Sequence, residues 1–285
     1  MMKTIVLPNG RILPRMGLGT WRIGDDADKE AKEIDAIRYG IDQGIRILDT
    51  AEMYGEGKSE ILLGKAIQGF PRKELFLVSK IYPHNCNASR FFSSLEKSLK
   101  RLGTDYLDLY LLHWRTGRVN LNEMVSLMEK AKARGLIRDW GVSNFNVTDM
   151  AELLAVEGGE NCLADQCLYH LGSRGVEYSL LPFLGRHRIF FMAYSPLAQS
   201  GGLREGIFQN AAVVDVARRH GIQPIQVLLS FSLFREDVVS IPKCGSREHV
   251  FSLLEAEKVV LDEEDIALLE KAFPKPSRDF PLDMC

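Results

Sequence analysis

Short apolar runs alternate with longer segments of helical period eight times along this chain, and no other feature of the sequence restricts the fold as much. The pairs are residues 17–20 with 29–43, 45–49 with 59–67, 75–80 with 89–102, and 107–113 with 121–134. They continue as 137–142 with 147–155, 163–166 with 177–186, 189–194 with a helical stretch reaching Phe234, and 238–242 with 247–258. Eight βα units without a linker or composition shift favour an α/β fold closed as a (β/α)8 TIM barrel over an open sheet. An open doubly wound sheet would carry Gly-x-Gly-x-x-Gly after its first strand, and Gly17-Leu18-Gly19-Thr20-Trp21-Arg22 does not complete that pattern. The 285 residues suit one barrel, so 1–285 is read as a single domain. Before the first unit, an apolar stretch to Leu7, a Pro8-Asn9-Gly10 turn and Arg11-Ile12-Leu13 predict a β-hairpin cap. Residues 210–220 and 263–272 predict helices additional to the regular eight.

Composition excludes several classes of function. Hydrophobic residues make up 46% and charged residues 26%, with a net charge of −2, so neither disorder nor an electrostatic footprint for nucleic acid or an anionic membrane is indicated. Pro8 and Gly10 interrupt the amino-terminal stretch before a signal peptide could form, and apolar runs such as 227–234 fall short of the ~20 residues that span a bilayer. The five cysteines Cys86, Cys162, Cys167, Cys244 and Cys285 form an odd set without zinc-type spacing. Reduced thiols in a cytoplasmic monomer are the expectation.

The chemistry is expected where strands end and βα loops begin, because a barrel places its reacting groups there. Strand two closes in Asp49-Thr50-Ala51-Glu52-Met53-Tyr54, strand three in Ser79-Lys80 and strand four in Leu112-His113-Trp114. Taken singly, an Asp is often a helix cap, a Tyr wall packing, a Lys or His merely solvated. Four different titratable types at consecutive strand ends are hard to explain as caps. Together they suit carbonyl reduction, in which negative charge develops on oxygen and a proton must be supplied to it. Tyr54 is the candidate donor, Lys80 the cation that would make the phenol acidic enough, Asp49 its counter-ion, and His113 either an orienting group or part of the proton relay. No metal set is visible, so the hydride is expected from an organic cofactor.

These residues resemble the aldo-keto reductase family, and the likeness covers nearly the whole chain. Its motifs are Asp49-Thr50-Ala51-Glu52-Met53-Tyr54-Gly55, Gly141-Val142-Ser143-Asn144-Phe145, Gln166, Tyr194-Ser195-Pro196-Leu197-Ala198 and Ile241-Pro242-Lys243. Tyr169-His170-Leu171-Gly172-Ser173-Arg174-Gly175 and the ending Pro281-Leu282-Asp283-Met284-Cys285 resemble the bacterial methylglyoxal-reductase-like branch in particular. The resemblance implies NADPH as cofactor and a small carbonyl compound as substrate. It implies that Ser143, Asn144 and Gln166 hold the nicotinamide carboxamide, that Tyr194 stacks on the ring, and that Thr20, Trp21, Asp49, Ser195, Pro196 and Leu197 line the same nucleotide. Gly201 and Gly202 would let their loop wrap the pyrophosphate.

Lys243 precedes a helix expected to begin near Ser246, and a cation beside helix N-terminal amides suits a phosphate, which favours NADPH over NADH. Here the chain departs from the family pattern, with Cys244 for the usual Ser, His249 for the usual Arg, and Ser252-Leu253 for the later Glu-Asn pair. Arg247 is the expected substitute for the missing Arg, and NADH use stays open. Trp21, Tyr82 and Trp114 lie just beyond strands one, three and four and are expected, with His113, to form a wall around the substrate. A short tail after Phe273 suits small or varied aldehydes. A non-catalytic nucleotide-binding regulatory module on the same fold is the competing reading, and a barrel hydrolase using Asp49 with Glu52 a more distant one.

Overall fold

The computed structural model describes residues 2–198 and 202–284. Its first element is the expected hairpin, β1 (Thr4–Val6) paired antiparallel with β2 (Ile12–Pro14). Gly10 closes the turn with φ +84°, a conformation only glycine adopts cheaply. Leu7 and Leu13 are buried against Ile47, Phe76 and Leu109, so the hairpin plugs one end of the central sheet. Burying such a side chain fully is worth about 1.5–3 kcal/mol.

Eight parallel strands form the centre: β3 (Leu18–Gly19), β4 (Ile47–Asp49), β5 (Phe76–Ile81), β6 (Leu107–Leu112), β7 (Ile137–Ser143), β8 (Ala164–Leu168), β9 (Phe190–Tyr194) and β10 (Val238–Ile241). Each pairs with its sequence neighbour. Bridges Met16↔Ser240 and Gly19↔Lys243 close the first strand onto the last, with Gly17 N donating to Ser240 O and Gly19 N to Pro242 O at 2.9 Å each. The sheet is therefore the barrel expected from the eightfold repeat. Helices cover it: α1 (Glu30–Asp42), α2 (Lys58–Ile67), α3 (Phe91–Leu102), α4 (Leu121–Ala133), α5 (Val147–Leu154), α6 (Leu180–Arg186), α7 (Gly202–Gln209), α8 (Ala211–His220), α9 (Pro224–Ser232), α10 (Arg247–Lys258) and α11 (Glu263–Ala272).

Two departures from the sequence expectation have physical reasons. Helix α6 starts at Leu180 rather than 177, because Pro182 has no amide hydrogen and is tolerated only in a first turn. The stretch running to Phe234 divides into α7, α8 and α9, broken where Asn210 caps α8 and where Gly221, with φ +64°, ends it. The additional helices α8 and α11 lie where they were expected.

Side chains alternate between the two faces of each strand. Ile47, Phe76, Val78, Leu109, Leu111, Ala164, Phe190, Met192, Val239 and Ile241 form one cluster inside the barrel, and their neighbours pack outward on the helices. The same parity orients the residues at the strand ends. Asp49, Lys80, His113, Gln166, Tyr194 and Lys243 are each two residues beyond an inward position, and Ser143 pairs in register with Gln166. One turn of the barrel thus gathers all seven at a single mouth.

Candidate active site

Lys80 is the centre of this mouth. Its ammonium is wholly buried and donates to Asp49 Oδ1 at 2.6 Å, Thr50 O at 2.9 Å and Tyr54 Oη at 3.3 Å. Three acceptors match the three hydrogens of an ammonium, whereas a neutral amine has one fewer to give. Burial pulls Lys80 below the ordinary lysine range, and Asp49 opposes that fall. Asp49 is itself buried and fixed from across the barrel by Gln166 Nε2 at 2.8 Å. Breaking such a pair from one side leaves an uncompensated buried charge, which typically costs about 3–5 kcal/mol.

The phenol of Tyr54 thus accepts a hydrogen bond from a cation, and its ring stands 5.5 Å from that of His113. Burial, reinforced by the charge of Lys80, lowers the His113 pKa to about 2, so the imidazole is neutral at physiological pH. Its Nδ1 is buried and has no hydrogen-bond partner among the described residues. The aromatic residues expected at the mouth continue the row. Trp21 lies 4.9 Å from Tyr54, Trp114 lies 4.8 Å from His113, and Tyr82 lies 4.9 Å from Trp114, all between ring centroids. Edge-to-face and tilted packing of this kind adds about 0.5–1.5 kcal/mol per pair and sets ring orientation.

Beside them lies an amide cluster. Ser143 Oγ donates to Gln166 O at 2.6 Å, Asn144 Nδ2 to Ser143 Oγ at 3.1 Å and to His113 O at 3.2 Å, and Tyr194 Oη to Asn144 Oδ1 at 2.8 Å. Asn144 has φ +60° and Ser195 φ +50°, left-handed conformations that non-glycine residues keep only where surroundings enforce them. For Asn144 the bond from its N–H to Gln166 O, at 3.0 Å, supplies that constraint. Pro196 and Leu197 continue in a turn, Gly202 opens α7, and Gly201 lies outside the described residues.

At the far side of the mouth Lys243 is exposed beyond β10. Partial desolvation lowers its pKa, Glu33 and Asp25 oppose that fall, and the charges of Arg22 and Lys29 add to it, so three cations and two acids meet there. Ser246 caps α10 by accepting from the His249 amide at 3.3 Å. The Arg247 guanidinium lies over the Tyr39 ring at 4.3 Å and 3.7 Å from Asp35, held by α1. The Thr20 hydroxyl donates to Asp49 O at 3.0 Å. Sequence reasoning passed over Arg22, and also the outward support beneath Lys80, where buried Glu60 accepts from Ser79 Oγ and Arg101 Nε at 2.6 Å each. A charge two residues from Gly19-Thr20 was the visible signal for the first; the second needed the packing of α2 and α3.

A barrel whose mouth holds a buried Asp and Lys with a partly buried Tyr, beside a His and an amide cluster, defines a family, and comparison with known proteins agrees. The chain belongs to the aldo/keto reductase family, whose model matches residues 15–273. It is 46% identical to methylglyoxal reductase YeaE of Escherichia coli strain K12 over 272 residues, covering 95% of both chains. It is 31% identical over 255 residues to methylglyoxal reductase DkgB of Escherichia coli O157:H7, covering 89% of this chain and 90% of that one. The crystal structure of an aldo/keto reductase from Klebsiella pneumoniae in complex with NADP and acetate superposes with a TM-score of 0.96 at 44% identity, covering 100% of each chain.

Proposed function

We propose that this protein reduces small aldehydes and ketones of the methylglyoxal type to alcohols with NADPH, Tyr54 giving the proton. The observation that carries this reading is the Lys80 ammonium with its three acceptors, the third being the phenol oxygen. The methylglyoxal reductases among the relatives and the NADP complex of the Klebsiella protein support it.

The donor set fits a nicotinamide nucleotide. Two side-chain amides and a hydroxyl, from Asn144, Gln166 and Ser143, supply both donors and acceptors for a carboxamide, and Tyr194 offers a ring beside them. Lys243 with Arg22 beside it, ahead of the first amides of α10, suits the phosphate that distinguishes NADPH from NADH. When bound, the reduced nicotinamide supplies the hydride. The protein's residues do the rest. His113, being neutral, orients the carbonyl oxygen by hydrogen bonding and does not deliver the proton. Tyr54 donates that proton as charge develops on the oxygen, and Lys80, paired to Asp49, stabilises the phenolate left behind. Trp21, Tyr82 and Trp114 bound the space for the carbonyl's substituent and exclude water from it.

The test is absorbance at the nicotinamide band, with NADPH or NADH against a panel of aldehydes that includes methylglyoxal. The reading expects aldehyde-dependent consumption, faster with NADPH. No consumption with any aldehyde and either nucleotide, in protein shown to bind NADPH, would favour a nucleotide-binding regulatory role instead.

A further inference from the structure

Glu52 lies between Asp49 and Tyr54, and its side chain does not join their network. Its carboxylate turns to the next βα loop, where Oε1 accepts from the Tyr82 amide at 2.6 Å and from Asn85 Nδ2 at 3.1 Å, and Oε2 accepts from Ser94 Oγ on α3. Its own amide donates to Lys80 O at 3.4 Å. One half-buried acid thus fastens the segment bearing Tyr54 to the segment bearing Tyr82. Hydrogen bonds to an ionised acceptor are roughly twice as strong as neutral ones. The Tyr82 ring in turn packs against Trp114 at 4.9 Å and His84 at 4.1 Å.

We infer that Glu52 is a positioning residue for substrate selection: it sets the distance between the proton donor's loop and the Tyr82–Trp114 wall, and so the bulk of the carbonyl substituent that fits. This rests on the function proposed above. Chemistry at Tyr54 is served by Lys80 from below, so loss of Glu52 should act chiefly on how a substituent is held.

The experiment compares wild type, Glu52→Ala, Glu52→Gln and Tyr82→Ala, with the Glu52→Ala, Tyr82→Ala double variant, reducing methylglyoxal and the bulkier phenylglyoxal. For Glu52→Ala, kcat/KM should fall at least about tenfold more for phenylglyoxal than for methylglyoxal, mostly through KM, within the ~10²-fold that an ångström of misplacement can cost. On the Tyr82→Ala background the same change should cost less than about twofold, because coupled residues are not additive. Glu52→Gln should restore most of the discrimination, since its amide oxygen still accepts from the Tyr82 N–H. Hydrogen exchange of the peptide over residues 81–86 should accelerate in Glu52→Ala, a readout independent of activity. If the alanine variant does not fold, Glu52→Asp, which withdraws the carboxylate by one carbon, takes its place. Equal losses for the two aldehydes, additivity with Tyr82→Ala, or unchanged exchange would each overturn the inference. Were neither aldehyde reduced by wild type, the proposed function would fall, while accelerated exchange would still support Glu52 as the anchor of Tyr82.

Discussion

Removing the hydroxyl of Tyr54 while keeping its ring separates proton donation from packing, because Trp21 and His113 contact the ring and Lys80 contacts the oxygen. A general acid contributes ~10²–10⁴ in rate, so Tyr54→Phe should lose turnover on that scale and keep NADPH affinity, measured by fluorescence titration. Reduction within a few-fold of wild type would assign the proton to another group. His113 makes a prediction about stability. Its folded pKa of about 2 lies below the ordinary 6.5, so the unfolded chain binds a proton that the folded one refuses. The stability conferred by the neutral ring is complete above pH 6.5 and is lost progressively as pH falls from there towards 2. The difference in unfolding free energy between wild type and His113→Asn should therefore shrink by about 1 kcal/mol per pH unit below that point, in urea titrations at pH 7, 5.5 and 4.5. A difference independent of pH would mean that the ring takes up a proton without unfolding.

Among the elements, β7 and α10 are each decided by one feature. Gly141 packs where a Cβ would come within 2.4 Å of Ala164 O and 2.9 Å of Leu111 Cδ2, so the close approach of β6, β7 and β8 depends on having no side chain there. Gly141→Ala should destabilise by about 2 kcal/mol or more, since the Ala164 backbone cannot yield cheaply, and a melting curve would show it. Ahead of α10, the proposed phosphate contact rests on Lys243. Lys243→Ala should weaken NADPH by about one to two decades and NADH much less, because a charged hydrogen bond is worth ~1.5–3 kcal/mol and only NADPH carries the extra phosphate. Equal loss of both nucleotides in parallel titrations would move Lys243 away from that phosphate. The elements themselves were readable because apolar runs and helical periods differ in kind. Pro182 carried the true start of α6, and Gly221 the break after α8, so these boundaries too were present in residues whose backbone rules had to be applied locally.

The whole molecule explains why strand-end residues as far as 117 positions apart in sequence meet at one mouth. Parity along each strand, Phe76-Val78-Lys80 or Leu109-Leu111-His113, points the last polar residue inward, and closure between β3 and β10 brings the row around. The row of polar residues closing the apolar runs was legible before any coordinates; the face to which each turns was not. The reach of Gln166 to Asp49, 117 positions away in sequence, was not, nor was the turn of Glu52 away from its neighbours towards Tyr82. Such contacts depend on which side chains face each other across a mouth, and no local pattern encodes that. The proton transfer proposed above is likewise a property of the assembled barrel: β4 and β5 bring Lys80 to Asp49 and within hydrogen-bond distance of the Tyr54 oxygen. The direct test is the pH profile of alcohol oxidation, which needs the phenolate as base, in wild type and Lys80→Met at saturating NADP. Without the ammonium, the apparent pKa of that profile should move up towards the ordinary phenol value of ~10, with activity at neutral pH lower by orders of magnitude. An unchanged apparent pKa with substantial activity remaining would contradict the coupling of Lys80 to Tyr54, and with it the mechanism.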